Sequence, residues 1–418
     1  MPEHTHPGPG VVVNAVVAQL SPQWLVYCRG NHLGHGHPDR VAVYLGNTLV
    51  KLAVRVVSRT KKSKWGLVCT STICALSVPE IAMLNLVRTV QTVDAHTGGE
   101  PLRILLSGMP PVPGASILAQ RAWLKAHRDD LRQFLMNEPR GHADMYGAYL
   151  LPPTTPAADF GVIFIHNEGY SDMCGHGIIA LGKVLVELGH VERTSPLTRI
   201  GFDAPAGFIE AFVEWDGQRA GRVTFKNVPA FIYLRDLEVD TPSFGKVRGD
   251  IVFGGAFYYY LNAEQAGLTV KPELVRSLIQ LGAETKAAVV AQVKIQHPLE
   301  PGLDQLYGSI IDSAPNCTGV DQSNVCVFAD REVDRSPTGT GTSGRAAQLF
   351  LRGQLPLGQT YVNGSIVGSK FEVKVTQAVK VGDFDGALTE VTGSAHIMGF
   401  NQWVLEDSDP MPTGFFLR

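Results

Sequence analysis

The chain has 418 residues, of which 44% are apolar and 18% charged, with a net charge of −3. That describes a globular protein long enough for two or three domains around a large core. The small net charge gives no basis for nucleic-acid binding, and no run of roughly 18 apolar residues is present to span a membrane.

Residues 1–90 differ from the rest. They hold nine Lys/Arg against three Asp/Glu, so the acidic surplus lies entirely beyond them. His32, His35 and His37 sit in a Gly-rich stretch that reads as a solvated loop rather than a metal site. Cys69 and Cys74 lack the second pair that zinc would need. Val41–Val57 is rich in Val and Leu and suits strands, whereas Arg59–Lys64 is a basic run expected as a solvated loop. The region lacks the basic and apolar order of a secretory signal, and its acid-poor character weakly resembles a transit peptide. A poorly ordered extension is the expectation for 1–90. The six cysteines, at 28, 69, 74, 174, 317 and 326, share no close spacing and are expected as free thiols in a reducing compartment.

From Thr92 the pattern changes. Val93, Leu102, Ile104 and Leu106 suggest strands around a His96–Glu100 turn. Ser116–Phe134 has apolar residues at helical spacing and predicts one long amphipathic helix. Tyr146–Leu151 and Val162–His166 are strand-like. Ile200–Trp215 and Arg222–Phe225 follow as strands, with a hairpin signal at Asp216-Gly217. Gly249–Leu261 combines a Gly-Gly bend with aromatic strand residues. Lys271–Lys294 is a second amphipathic helix with Pro272 in its first turn. Tyr307–Ile311 and Val325–Ala329 are strands, and Phe371–Val375, Ala387–Val391 and His396–Phe400 are late ones. Helices separated by runs of strands imply mixed α/β (α+β) lobes rather than a wound parallel sheet.

Two glycine-rich loops stand out. Asn167-Glu168-Gly169-Tyr170-Ser171-Asp172-Met173-Cys174-Gly175-His176-Gly177 runs into the helix-period segment Ile178–Leu188. Asp334-Arg335-Ser336-Pro337-Thr338-Gly339-Thr340-Gly341 runs into Ser343–Arg352. A helix start carries unpaired N–H groups and the positive end of the helix dipole, so it suits an anion and favours a thiolate. Laid over each other, the loops put Cys174 opposite Thr338. Two like loops suggest two similar lobes facing one cleft, where a carboxylate could take N–H groups from both. Gly339–Gly344 also matches the dinucleotide fingerprint, but Arg345–Phe371 holds no acidic residue to bind a ribose.

These segments resemble the proline racemase family. The Met173–His176 loop and the Asp334–Gly341 loop match its two signature sites. Asp94–Pro101, Glu138–His142 and Asp250–Phe257 add to the likeness, which runs from about Val93 to the C-terminus. Racemases and 4-hydroxyproline epimerases of the family carry Cys at both reacting positions. Thr338 in the second place looks like the trans-3-hydroxy-L-proline dehydratase branch. The resemblance implies a diaminopimelate-epimerase-like fold, in which each lobe wraps strands around a central helix. One lobe is expected over 91–228, completed by 392–418, and the other over 229–391. It also implies that Tyr146 and Phe328 wall the substrate ring.

A racemase needs a base on each face of the substrate carbon. Thr338 cannot replace a thiol, because an aliphatic hydroxyl stays protonated near neutral pH. The single thiol, Cys174, should take the Cα proton. Backbone N–H groups of Gly175, His176, Gly339 and Thr340 would hold the carboxylate and the developing negative charge. Asp334 and His176 would hold the ring amine, and loss of the 3-hydroxyl would follow. The donor to that hydroxyl is open among Cys174, His176 and water, and His166-Asn167-Glu168 is a further candidate for handling it. No cofactor or metal is expected; the partner is a small hydroxyproline substrate, and a homodimer is admitted. The compartment expected is the cytoplasm, with the mitochondrion as the alternative. Two other readings stay open: a racemase or epimerase using water or Thr338 on the second face, and a non-catalytic carboxylate binder.

Overall fold

A computed structural model describes residues 85–417 throughout. Before them it describes only the strands Arg40–Leu45, Thr48–Ala53, Ser58–Ser63 and Gly66–Ser71. These form two antiparallel hairpins, within a unit of the chain that ends at Met83. The first falls inside the Val41–Val57 expectation. The second corrects the other: most of the basic run expected as a loop lies in the strand Ser58–Ser63, with Thr60 and Lys62 at alternate positions of its ladder. The histidines at 32, 35 and 37, Cys74 and the expected disorder of the extension lie outside the described residues.

Leu84–Arg418 forms the second unit, in which one strand plan occurs twice. In the first lobe, Leu86–Thr97 and Glu100–Ser107 form a hairpin. Two helices, α1 (Ile117–His127) and α2 (Asp129–Met136), then cross to Tyr146–Leu151, which lies parallel to Glu100–Ser107. Phe160–His166 returns antiparallel and leads through the first glycine loop into α3 (Gly175–Glu187). In the second lobe Phe257–Asn262 is followed by α4 (Val275–Gln292) and by Leu306–Ser313, parallel to it. Gln322–Phe328 returns antiparallel and leads through the second loop into α5 (Gly339–Leu351). Each central helix is then followed by a strand parallel to the one before it, Leu197–Ala204 and Thr360–Ser365. Both loops therefore occupy one place in one topology. Asp216–Arg219 makes the turn between Gly207–Trp215 and Ala220–Lys226, as expected.

The two lobes share strands. Phe384–Gly393 pairs with Ala220–Lys226 along one part and with Ala230–Phe231 further on. Ala395–Glu406 then returns to pair with Leu86–Thr97 over its whole length.

The central helices are buried for different reasons. α3 is apolar on all sides, with Ile178, Ile179, Leu181, Val184 and Leu185 inaccessible, which fits a helix ringed by sheet. α5 is built from small residues instead, and close approach replaces apolar bulk. A side chain at Gly344 would meet Tyr260 Oη at 2.2 Å.

One expected helix is two. Ser116–Phe134 breaks at Arg128, whose φ of −140° is not helical. Its N–H closes α1 on Leu124 O, and the acidic pair Asp129 and Asp130 suits a new N-terminus. The break turns Arg132 inward, where it donates to the carbonyls of His166 and Asn167 beneath the first glycine loop. Among the described residues no helix is long and apolar enough to cross a membrane.

Candidate active site

α3 and α5 meet at their N-termini. A Cβ on Gly175 would lie 2.5 Å from Gly339 Cα, so the loops touch backbone to backbone and neither glycine has room for a side chain. A Cβ on Gly254 would likewise lie 2.4 Å from Thr340 O, so the bend after Gly245–Phe253 also packs on the start of α5. This contact brings the first-turn N–H groups of both helices to one place, where nothing within either helix can accept from them.

The two reacting positions differ in conformation as well as in chemistry. Cys174 caps α3 in ordinary extended geometry, φ −144°. Its Sγ accepts the Gly177 N–H at 3.2 Å and lies 3.1 Å from His176 Nδ1. Thr338 precedes α5 with φ 60°, a left-handed conformation that a β-branched residue rarely adopts. A net of buried bonds imposes it. Ser336 N–H donates to Asp334 Oδ1 at 2.7 Å, Thr338 N–H donates to Ser336 Oγ at 3.1 Å, and Asn324 and Thr342 donate to Pro337 O. Thr338 Oγ1 is buried without a hydrogen bond. The thiol of Cys326 is its neighbour.

His176 is fixed from three sides. Its carbonyl accepts from Thr97 Oγ1 at 2.9 Å, its Nδ1 is 3.9 Å from Asp334 Oδ2, and its ring meets that of Tyr146 edge-on at 4.9 Å. Burial pushes its pKa down, against the pull of Asp334, so it is held neutral. Asp334 bonds its own turn through one oxygen and faces His176 with the other. Arg335 turns away to Glu100, which accepts its backbone N–H at 2.7 Å and its Nε at 3.0 Å. Glu100 thus ties the Asp94–Pro101 segment to the second loop.

The expectation of a readily formed thiolate needs correction. Burial pushes the Cys174 thiol well above its ordinary range, and Asp334 and Glu100 add to this. The Gly177 N–H and the Tyr146 hydroxyl pull the other way without prevailing. A helix start favours a thiolate, but complete desolvation beside carboxylates outweighs it.

Nine of the residues singled out in the sequence line one pocket: Cys174, Gly175, His176, Asp334, Thr338, Gly339, Thr340, Tyr146 and Phe328. Its free space is about 20 Å³, room for one water, so a five-membered ring enters only if the pocket widens. Four lining residues escaped the sequence reading: Met173, Tyr258, Tyr307 and Cys326. Tyr307 stacks on Phe328 at 5.2 Å, and Tyr258 bonds Thr340 Oγ1 at 2.7 Å. Cys326 lies two residues before Phe328 on one strand, and that spacing was a usable signal. Tyr307 stands on the second-lobe strand equivalent to that of Tyr146.

The segment His166-Asn167-Glu168 does not reach the pocket. Asn167 holds backbone, accepting from Met145 N–H at 3.0 Å and donating to Met136 O at 2.8 Å. His166 stacks behind Tyr146 and bonds Glu332 at 3.1 Å. Among the described residues no group of three or more His, Cys, Asp or Glu is placed to hold a metal ion.

Comparisons with known proteins identify the family. A relative from Burkholderia cenocepacia, named trans-3-hydroxy-L-proline dehydratase, is 57% identical over 80% of this chain and 100% of its own length. A 3-hydroxyproline 2-epimerase from Burkholderia multivorans is 56% identical with the same coverage. The solved structure of a hydroxyproline epimerase from Agrobacterium vitis, with bound trans-4-hydroxy-L-proline, superposes with a TM-score of 0.74. It is 29% identical, covering 79% of this chain and 96% of that one. The family model described as proline racemase matches residues 92–416, and the chain belongs to the proline racemase family.

Proposed function

We propose that the chain is a cofactor-independent hydro-lyase that converts trans-3-hydroxy-L-proline to Δ1-pyrroline-2-carboxylate and water. The observation that carries this reading is the inequality of the two helix starts. One presents a thiol beside a neutral histidine, the other a threonine hydroxyl whose neighbour, the Cys326 thiol, is pushed well above its ordinary range by burial. Gly175, His176, Gly339 and Thr340 offer N–H groups to the carboxylate, whose charge grows as the Cα proton leaves for Cys174. His176 and Asp334 hold the ring amine, and Tyr146 and Phe328 wall the ring. Thr338 stands where a second thiol would return a proton to the other face, so the carbanion expels the 3-hydroxyl instead. The resulting enamine tautomerises to the cyclic imine. No step asks for a metal, pyridoxal phosphate or flavin.

The same reading takes 91–228 with 392–418 as one lobe and 229–391 as the other, supported by the return of Ala395–Glu406 to the first strand. It takes the cytoplasm as compartment, with the mitochondrion as alternative, and a homodimer as the assembly for sedimentation to check.

A second reading, epimerisation at Cα, has a specific support in the 56%-identical relative named 3-hydroxyproline 2-epimerase. Incubation with trans-3-hydroxy-L-proline and analysis by NMR separates the two. Cyclic imine is the expected product; accumulation of the 2-epimer in its place would favour the second reading.

A further inference from the structure

Loss of the 3-hydroxyl as water needs a proton donor, and the groups already assigned leave that place unfilled. In trans-3-hydroxy-L-proline the 3-hydroxyl lies on the same ring face as the Cα hydrogen. The donor must therefore stand on the Cys174 side of the ring. Thr338 belongs to the opposite loop and its neighbour Cys326 to the strand Gln322–Phe328 that leads into it, and Asp334 and His176 are committed to the amine.

Three hydroxyls meet on the Cys174 side. Ser171, three residues before the thiol, lies 2.7 Å from Tyr307 Oη and also bonds Tyr146 Oη. The two tyrosine hydroxyls are 3.2 Å apart, which closes the ring of bonds. Ser171 and Tyr146 are buried, and both tyrosines line the pocket. Tyr146 and Cys174 line the same pocket, and the tyrosine hydroxyl favours the thiolate. Each hydroxyl can donate and accept at once, so the set is a proton path that begins at the thiol and ends on the pocket wall. Its members come from three elements: Tyr146–Leu151, the first glycine loop, and Leu306–Ser313 of the second lobe.

We propose that Tyr146, Ser171 and Tyr307 form a relay that carries the abstracted proton from Cys174 to the departing 3-hydroxyl, with Tyr307 as its donor. The inference rests on the lyase reading above. Cys174 thiolate takes the Cα proton, and the C–H electron pair enters the enolate held by the backbone N–H groups. That pair forms the Cα–C3 double bond as the C3–O bond breaks with its electrons on oxygen. Tyr307 protonates that oxygen, and water leaves. The Cys174 thiol returns its proton through Tyr146 and Ser171 to Tyr307, which restores both thiolate and phenol. One thiol thereby supplies the base and, through the relay, the acid on one face. No other reactant is consumed.

Tyr307→Phe and Ser171→Ala test the relay in deuterium oxide. Tyr307→Phe is expected to slow imine release by about 100-fold, the range for loss of a positioned acid, and Ser171→Ala by less. The distinguishing readout is deuterium at Cα in recovered trans-3-hydroxy-L-proline. It should be absent with the native enzyme, where elimination outruns reprotonation, and should appear with both variants. Exchange at Cα of L-proline, which has no 3-hydroxyl to lose, reports whether the thiol and fold survive. Slowed imine release without deuterium in recovered substrate would overturn the relay, as would unchanged rates. Loss of L-proline exchange as well would make Tyr307 a support for the thiol and overturn it too. A native enzyme that forms no imine would overturn the lyase reading and the relay with it. Imine formed equally by native enzyme and Tyr307→Phe would overturn the relay alone.

Discussion

The Cys174 and Thr338 loops share a topology, a glycine contact and a helix start, yet they are not interchangeable. Cys174 sits in relaxed extended backbone with its sulfur bonded on two sides. Thr338 is held at φ 60° by its own N–H bond to Ser336 Oγ and by the bonds from Asn324 and Thr342 to Pro337 O. In the proposed reaction the repeated scaffold supplies what both halves need, a place for a carboxylate. Difference in chemistry enters through one atom at each helix start. On the proposed reading, a fold made of two like lobes carries a one-sided reaction because its two helix starts differ in residue and in conformation.

The comparison can be broken from the sulfur side first. Cys174→Ser is expected to lower turnover by about 10⁴-fold, the upper range for a positioned base, with the thermal transition unchanged. Retained activity would mean that the two loops differ in no way that matters. Asp334→Asn removes the charge facing His176 and the ring amine. A loss of about 10–100-fold in kcat/KM is expected, the worth of a hydrogen bond to a charged group. Steady-state kinetics with trans-3-hydroxy-L-proline checks both.

The shared scaffold is sharpened by Gly175→Ala. Its new methyl would press on Gly339 backbone and Phe225, at a cost of about 1–3 kcal/mol. Gly169→Ala, in the same loop but with open space around it, serves as the control in thermal denaturation. Equal transitions for the two variants would deny that the helix starts are in contact. Thr338→Cys should then move the second loop toward the first in function. Epimerised substrate appears at the expense of imine, detected by chiral chromatography, and an unchanged product ratio counts against the proposed asymmetry.

The smallest effect expected is on the pH profile. Burial raises the Cys174 thiol, and the base form is the deprotonated one. Activity should therefore rise with pH on a limb above the ordinary thiol range. Tyr146 and the Gly177 N–H favour the thiolate, while Asp334 and Glu100 oppose it. Tyr146→Phe removes a favouring contact and should move the limb to higher pH. A limb below the ordinary thiol range would contradict the desolvated setting.

Much of this site was legible because its chemistry is local. A thiol, a histidine two residues on and two glycines at a helix start are contiguous, and the second loop repeats the two glycines at the same spacing. The strand segments were legible through alternation and turn residues. Tyr307 and Ser171 were not, because nothing in either segment marks two hydroxyls 136 positions apart as neighbours. The break at Arg128 was hidden by continuous apolar spacing across it, and only its inward partners on the loop reveal its use. The thiol's ionisation was misjudged for the same reason. The helix end is visible in sequence, whereas the depth of burial and the approach of Asp334 and Glu100 are tertiary.

The most direct test follows the Cα hydrogen of L-proline in deuterium oxide with the native protein, reading both label and configuration. Deuterium should enter with L configuration retained, and no D-proline should form, because Cys174 alone stands at a helix start and serves a single face. D-proline appearing alongside the label would show that the Thr338 half can also deliver a proton to carbon, and the one-sided site would be wrong.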